Sequence, residues 1–415
     1  MKRLLLLAVV LISGIAVRGT PQPLAIHGET VFTAAGAPIK DGLVLVSDGK
    51  ITYVGPAAGQ MYTADRQVLH AKVVTPGLID AHATVGLSGL LNQAQDQDML
   101  EKSAAVQPEL RAIDAYNAKD PLVAHVRSFG VTTVNTGHAP GALVSGQTMI
   151  VKTFGRTVDE DVVNPAAMTA VALGNNGLTG RDVAPGRGSP SEKSPGTRAK
   201  AVAMLRAELI KAQEYAKKRE LKDETKRPGR DLKYEALLRG LDGSQPLLVN
   251  VNRQQDILSA IRVAKEFGAR IVLDGCADAP LVLAEIKVSG FPVVLHPTMA
   301  RSFEDEENLS VETAAMLQAA GIPFAIQSGY EAYVPKTRVV LFEAAMAAAN
   351  GLGFEPALAS VTINAAKLLG IADRTGSLVI GKDADLALYD GDPFEYTSHC
   401  VGTVINGQVF ENGPH

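Results

Sequence analysis

Hydrophobic and polar positions follow two rhythms along this chain. From residue 24 to 75, short apolar runs alternate with turn residues. In "LVLVSDGKITYVG" two such runs meet at Asp48-Gly49, a pair that tolerates positive φ and so predicts a tight hairpin. The other end mirrors it: "DADLALYDGDP" and "GTVINGQVFENG" predict strands, the second turning at Asn406-Gly407. β segments at both ends, flanking a long middle, predict one small β-sandwich assembled from the two termini, residues 21–75 and 373–415.

The middle, residues 76–372, keeps another beat. Apolar runs fall at Val73–Asp80, Val131–Asn135, Met149–Phe154, Ala170–Leu173, Leu247–Val251, Arg270–Asp274, Pro292–Leu295 and Pro323–Ile326. They lack polar alternation, as strands buried on both faces do. Helical patterns lie between several of them. "DILSAIRVAKEFG" puts Ile257, Ile261 and Ala264 on one face and stops at Gly268. Repeated β-then-α units predict an α/β fold, a (β/α)₈ TIM barrel with its chemistry at the carboxyl ends of the strands. Residues 175–232 break the rhythm, first Gly/Ser/Pro/Arg-rich and then helical and charged. That is long for a loop between barrel elements. It reads either as a cap over the barrel mouth or as a solvated surface arm.

The first residues change the expected address. Lys2 and Arg3 precede an apolar run from Leu4 to Val17, then small residues and Pro21. This is the pattern of a secretory signal peptide, residues 1–20, and too short for a confident membrane span. The expectation is export to a periplasm or the exterior, with no membrane attachment after signal removal. A net charge of −4 gives no electrostatic case for nucleic acid. Cys276 and Cys400 stand alone in sequence and are read as buried thiols rather than a disulfide framework.

"VVTPGLIDAH", the split β domain, the eight strands and the tail "GSLVIGKDADLALYDGDPF" together resemble the amidohydrolase superfamily, in particular its secreted, imidazolonepropionase-like branch. "GVTTVNTG", "RDLKYEALLRGL" and "TINAAKLLGIADRTGSL" extend the likeness over almost the whole chain after the signal. The resemblance implies a barrel holding one or two divalent metals, usually zinc, that hydrolyse amide, peptide or cyclic C–N bonds. Strand 1 would end in His-x-His, strands 5 and 6 would each supply a histidine, and strand 8 an aspartate. Imidazole suits zinc, and a metal lowers the pKa of bound water.

Position by position, most of that set is substituted. His82 is the one retained ligand, and Thr84 stands where the second imidazole of strand 1 belongs. In "LLVNVNRQQDI", Asn250 and Asn252 occupy the histidine places of strand 5. In "RIVLDGCADA", Asp274 matches the family's glutamate and Gly275 its histidine. In "PFAIQSGYE", Ser328 matches the family's Ser or Thr, and Gly329 replaces the aspartate that would act as base. Asparagine offers no imidazole lone pair, threonine is a poor zinc ligand, and glycine has no side chain.

Lys152, Asp274, His138, His296 and Ser328 remain as candidates to line a pocket, Lys152 also as a bridging lysine like that of some relatives. Ser145 and Ser328 have no evident base beside them, so a serine nucleophile is a weak reading. Two readings stay open. One is a catalytically degenerate scaffold, binding no metal or a weakly held divalent ion. It would take a small amide- or peptide-like ligand, or pair with a second copy or an active paralogue. The other is an active, metal-dependent amidohydrolase with a rearranged mononuclear site built on His82.

Overall fold

The computed structural model describes residues 22–91, 93–178, 195–300, 302, 304–330 and 339–412. The expected signal segment and residues 179–194 of the long insertion lie outside the described residues. Four strands open the chain: β1 (Leu24–Val31), β2 (Ile39–Ser47), β3 (Lys50–Pro56) and β4 (Gln67–Pro76). The middle carries β5 (Leu78–Ala83), β6 (Val131–Thr136), β7 (Val144–Gln147), β8 (Met149–Lys152) and β9 (Val162–Asn164). It continues with β10 (Thr169–Ala172), β11 (Leu247–Val251), β12 (Ile271–Gly275), β13 (Val293–Leu295) and β14 (Phe324–Ile326). Last come β15 (Leu386–Tyr389), β16 (Cys400–Ile405) and β17 (Gln408–Glu411).

The terminal strands build one β layer, ordered β17-β16-β15-β4-β1-β2-β3. β4 is its seam, parallel to β1 and antiparallel to β15. Both turns expected from sequence close hairpins: Asp48-Gly49 has φ of 50° and 72°, Asn406-Gly407 49° and 77°. Positive φ at both central residues matches the twist of the flanking strands. The apolar run Val73–Asp80, however, is two strands. Pro76 ends β4, and at Gly77 the chain passes so close to Thr132 that a Cβ would collide with it.

β10 to β14 lie side by side and parallel, as do β5 and β6. A parallel bridge from Ala83 to Gly329 brings the end of β5 to the chain leaving β14. One strand departs from the expected (β/α)₈ pattern. Met149–Phe154 was expected to run parallel, yet β8 is antiparallel to β6, and β7 antiparallel to β10. The stretch joining β6 to β8, residues 137–148, holds β7 but no helix to carry the chain back for a parallel return.

Parity along the strands sets the barrel interior. Ile79, Ile150, Leu248, Val272, Val294 and Ala325 meet in one apolar cluster closed by Ala365, Ala366 and Leu369. Two residues further along four of these strands stand Asn250, Asp274, His296 and Gln327, all buried. Side chains two apart share a face. A polar layer therefore sits directly on the apolar one, towards the carboxyl ends.

The helix Gln254–Phe267 buries Ile257, Ile261 and Ala264 and ends at Gly268 with φ of 68°, as its pattern requires. The helix Arg198–Arg219, in the predicted insertion, buries Ala201, Leu205, Leu209 and Ala212 in the main core. It packs against helices Leu232–Asp242 and Gln254–Phe267, so this part is no solvated arm. Cys276 and Cys400 are both buried and free.

Candidate functional site

The polar layer converges on Asp274. Its Oδ2 accepts a hydrogen bond from Asn250 Nδ2 at 3.0 Å, and its Oδ1 one from Gln327 Nε2 at 2.6 Å. His82 Nδ1 lies 3.3 Å from the same Oδ1. Strands 1, 5, 6 and 8 of the barrel thus meet on one carboxylate. Asn250 reaches further, to the Tyr330 hydroxyl at 3.0 Å, and its Oδ1 accepts from Asn176 Nδ2 at 2.9 Å. The His82 and Tyr330 rings are 5.6 Å apart. Burial alone would lower the His82 pKa, but Asp274 and Asp80 outweigh it and hold it above the ordinary value.

Asp80 forms a second centre one strand position away. The Ser328 hydroxyl and backbone N–H both donate to it. Burial nevertheless raises its pKa to about 6, against those hydrogen bonds. Ser328 is therefore tied to Asp80 rather than placed as a nucleophile.

The remaining ligand positions hold other roles. Thr84 shares a hydrogen bond of 2.9 Å with Ser88. Asn252 Nδ2 donates to Glu306 Oε1 at 3.1 Å, while its Oδ1 faces the Ala277 N–H at 3.4 Å. Gly275 has φ of +89°, and a Cβ there would collide with Asn252 Oδ1. Gly329 has φ of +81°, and a Cβ there would lie 2.6 Å from Pro297 Cγ.

This donor set does not fit a zinc centre. Asn250 and Asn252 present N–H groups as donors, and both Asp274 oxygens already accept hydrogen bonds. Among the described residues, no three of His, Cys, Asp or Glu are grouped so as to hold a metal ion. Zinc sites need three or four such ligands around one point.

The other candidates separate. His138 and His296 are buried near the barrel mouth, yet among the described residues neither ring is hydrogen-bonded to His82 or Asp274. His296 Nδ1 meets the Pro297 carbonyl at 3.0 Å, and the His138 ring packs on Gly146. Burial lowers both to a pKa of about 4. Lys152 is not a pocket residue. Its Nζ sits between Asp385 and Asp383, locking β8 to the terminal β layer. β8 runs backwards, which sends the end of the strand to the opposite side of the barrel.

Sequence reasoning missed Gln327, Asn176, Tyr330 and Asp80. Gln327 could have been found by parity, since it is the residue two past Ala325 in the apolar layer. Asn176 and Tyr330 come from loops, where no period points to them. Above the polar layer lies a cavity of about 150 Å³, lined by Asn175, Asn176, Asn252, Pro297, Gly329, Tyr330 and the loop residues Ala300 and Glu304 to Glu306.

Known proteins agree with this architecture. Residues 336–410 match the amidohydrolase family model. The chain is 26% identical over 401 residues to amidohydrolase tasK of Hapsidospora irregularis, covering 90% of this chain but only 40% of that protein's length. It is 25% identical over 410 residues to an imidazolonepropionase of Brucella anthropi, covering 86% of this chain and 89% of the other. A solved amidohydrolase from Thermotoga maritima superposes with a TM-score of 0.84 at 29% identity, over 94% of this chain and all of that one. On this fold, this layered barrel and these likenesses, the chain belongs to the amidohydrolase superfamily.

Proposed function

We propose that this chain is an exported, catalytically degenerate amidohydrolase whose barrel mouth binds a small amide-bearing ligand without a resident metal. One observation carries the reading. Asp274, at the centre of the old metal region, has its charge met by amide N–H donors and His82, while Gly275 and Gly329 leave two ligand places empty of donors. The cavity supports a ligand of modest size. At about 150 Å³ it falls below the roughly 300 Å³ at which drug-sized pockets begin. A fragment bearing one amide suits it better than an extended peptide. Pairing with a second copy or an active paralogue fits the same reading, since such a protein would act through binding.

Metal content of the purified mature protein tests this, measured by mass spectrometry beside His82→Ala. The expected result is well under one equivalent of zinc, manganese or iron in both proteins. Near-stoichiometric metal that vanishes in the variant would overturn it. So would chelator-sensitive hydrolysis of a dipeptide or cyclic amide.

A further inference from the structure

The loop after β13 contains four consecutive carboxylates, Glu304, Asp305, Glu306 and Glu307. Left alone, such a run repels itself and stays solvated. Here four residues in a row are stitched to different parts of the barrel mouth. Asp305 accepts from Arg198 at 2.8 Å and from the Asn175 backbone N–H at 2.7 Å, at the exit of β10. Glu306 accepts from Asn252, and Glu307 pairs with Arg253, both at the exit of β11. Asn308 donates to Asp278 at 2.8 Å, at the exit of β12. Asp305 and Glu306 also line the cavity above the polar layer.

We propose that Glu304–Asn308 is a clasp that controls entry to the mouth cavity, with Asn252, on a former ligand position, as its inner catch. The ties suit such a device. Arg198 and Arg253 are only part-buried, and Glu307 is mostly exposed. Exposed ion pairs are individually weak and are screened by salt. Removing one arginine both cuts a tie and releases carboxylate repulsion within the loop. The clasp closes over whatever the cavity holds, so it does not depend on whether the barrel binds metal.

Nitration by tetranitromethane reads entry directly. Tyr330 lines the cavity, whereas Tyr396 is 97% exposed and serves as an internal control. In the intact mature protein, Tyr330 is expected to react much more slowly than Tyr396. Arg198→Ala, and separately Arg253→Gln, should speed Tyr330 by roughly two- to fivefold, the scale of one exposed ion pair, and leave Tyr396 unchanged. Molar salt should act in the same direction on the native protein. Hydrogen exchange of β12 and β13 reports whether a variant has unfolded globally. Arg253→Gln, which spares the buried Asp256 partner of Arg198, keeps the test open if Arg198→Ala does not fold. Tyr330 reacting as fast as Tyr396 in the native protein would overturn the clasp. So would a Tyr330 rate unmoved by salt and by both variants.

Discussion

Gly275→Ala tests whether the site is rebuilt or merely eroded. The residue aligns with a histidine place of the family, so the variant asks what a side chain there costs. Two costs oppose it. A φ of +89° is a glycine conformation, and an L-residue held in left-handed backbone costs about 1–2 kcal/mol. The new Cβ would also collide with Asn252 Oδ1, whose side chain is fixed by Glu306 and Ala277. Overpacking of this kind adds about 1–3 kcal/mol. The sum is about 2–5 kcal/mol. With about 2.1 cal/mol/K of unfolding entropy per residue, a chain of 415 residues loses about 1 °C of Tm per kcal/mol. A fall of about 2–6 °C by scanning calorimetry is therefore expected.

Two comparisons isolate the collision. Gly268 has φ of +68° and nothing within 4 Å of a Cβ, so Gly268→Ala reports strain alone. In the double variant Asn252→Ala/Gly275→Ala the obstacle is gone, so the combined loss should be less than the sum of the single losses. The reasoning fails if Gly275→Ala costs no more than Gly268→Ala. It fails equally if the two single effects simply add.

Further outcomes follow from the same geometry. Gly329→Asp, which puts back the family's base, should fail to raise zinc affinity in equilibrium dialysis, because its Cβ meets Pro297 at 2.6 Å. Lys152→Met should lower unfolding stability in denaturant by about 3–5 kcal/mol, since Asp383 and Asp385 would lose a buried partner. Adding Asp385→Asn should return part of that loss. Glu343, whose carboxylate accepts from Thr298 and Met299, is raised by burial from 4.5 to about 7. A raised folded pKa means the native state holds the extra proton, so stability falls as pH climbs from 4.5 towards 7. Asp80 acts in the same direction. Melting temperatures across that range should decline less in Glu343→Gln than in the native protein.

What the sequence disclosed were the features governed by local rules. Asp48-Gly49 and Asn406-Gly407 turn where their φ preference says, and the runs of β11 to β14 fall within a residue or two of the strands. Asp274 is placed by aligning the stretch before "FPVV" with the family's glutamate; it lies sealed beneath the cavity and does not line it. The failures share a cause as well. The reversal of β8 follows from a connection without a crossover helix, not from any residue's preference. Lys152 stays open in sequence between a pocket lysine and a structural one, because its partners, Asp383 and Asp385, lie far along the chain. The ties of Asp305 to Asn308 join loops that only the folded strand order brings together.

The substituted positions are better understood from what Asp274 requires. A carboxylate sealed inside a barrel is costly unless a cation or N–H donors meet its charge. Asn250 and Gln327 supply two N–H bonds from neighbouring strands, and His82 adds a third contact. A glycine at 275 leaves room for Asn252 to turn outward and hold Glu306. Asn250 and Asn252 therefore each satisfy a carboxylate. Beneath this polar layer, Ile79, Leu248, Val272, Val294 and Ala325 form one apolar cluster. Hydrogen bonding among Asn250, Asp274 and Gln327 thus meets the charge of this layer while the apolar layer beneath it packs as a separate cluster.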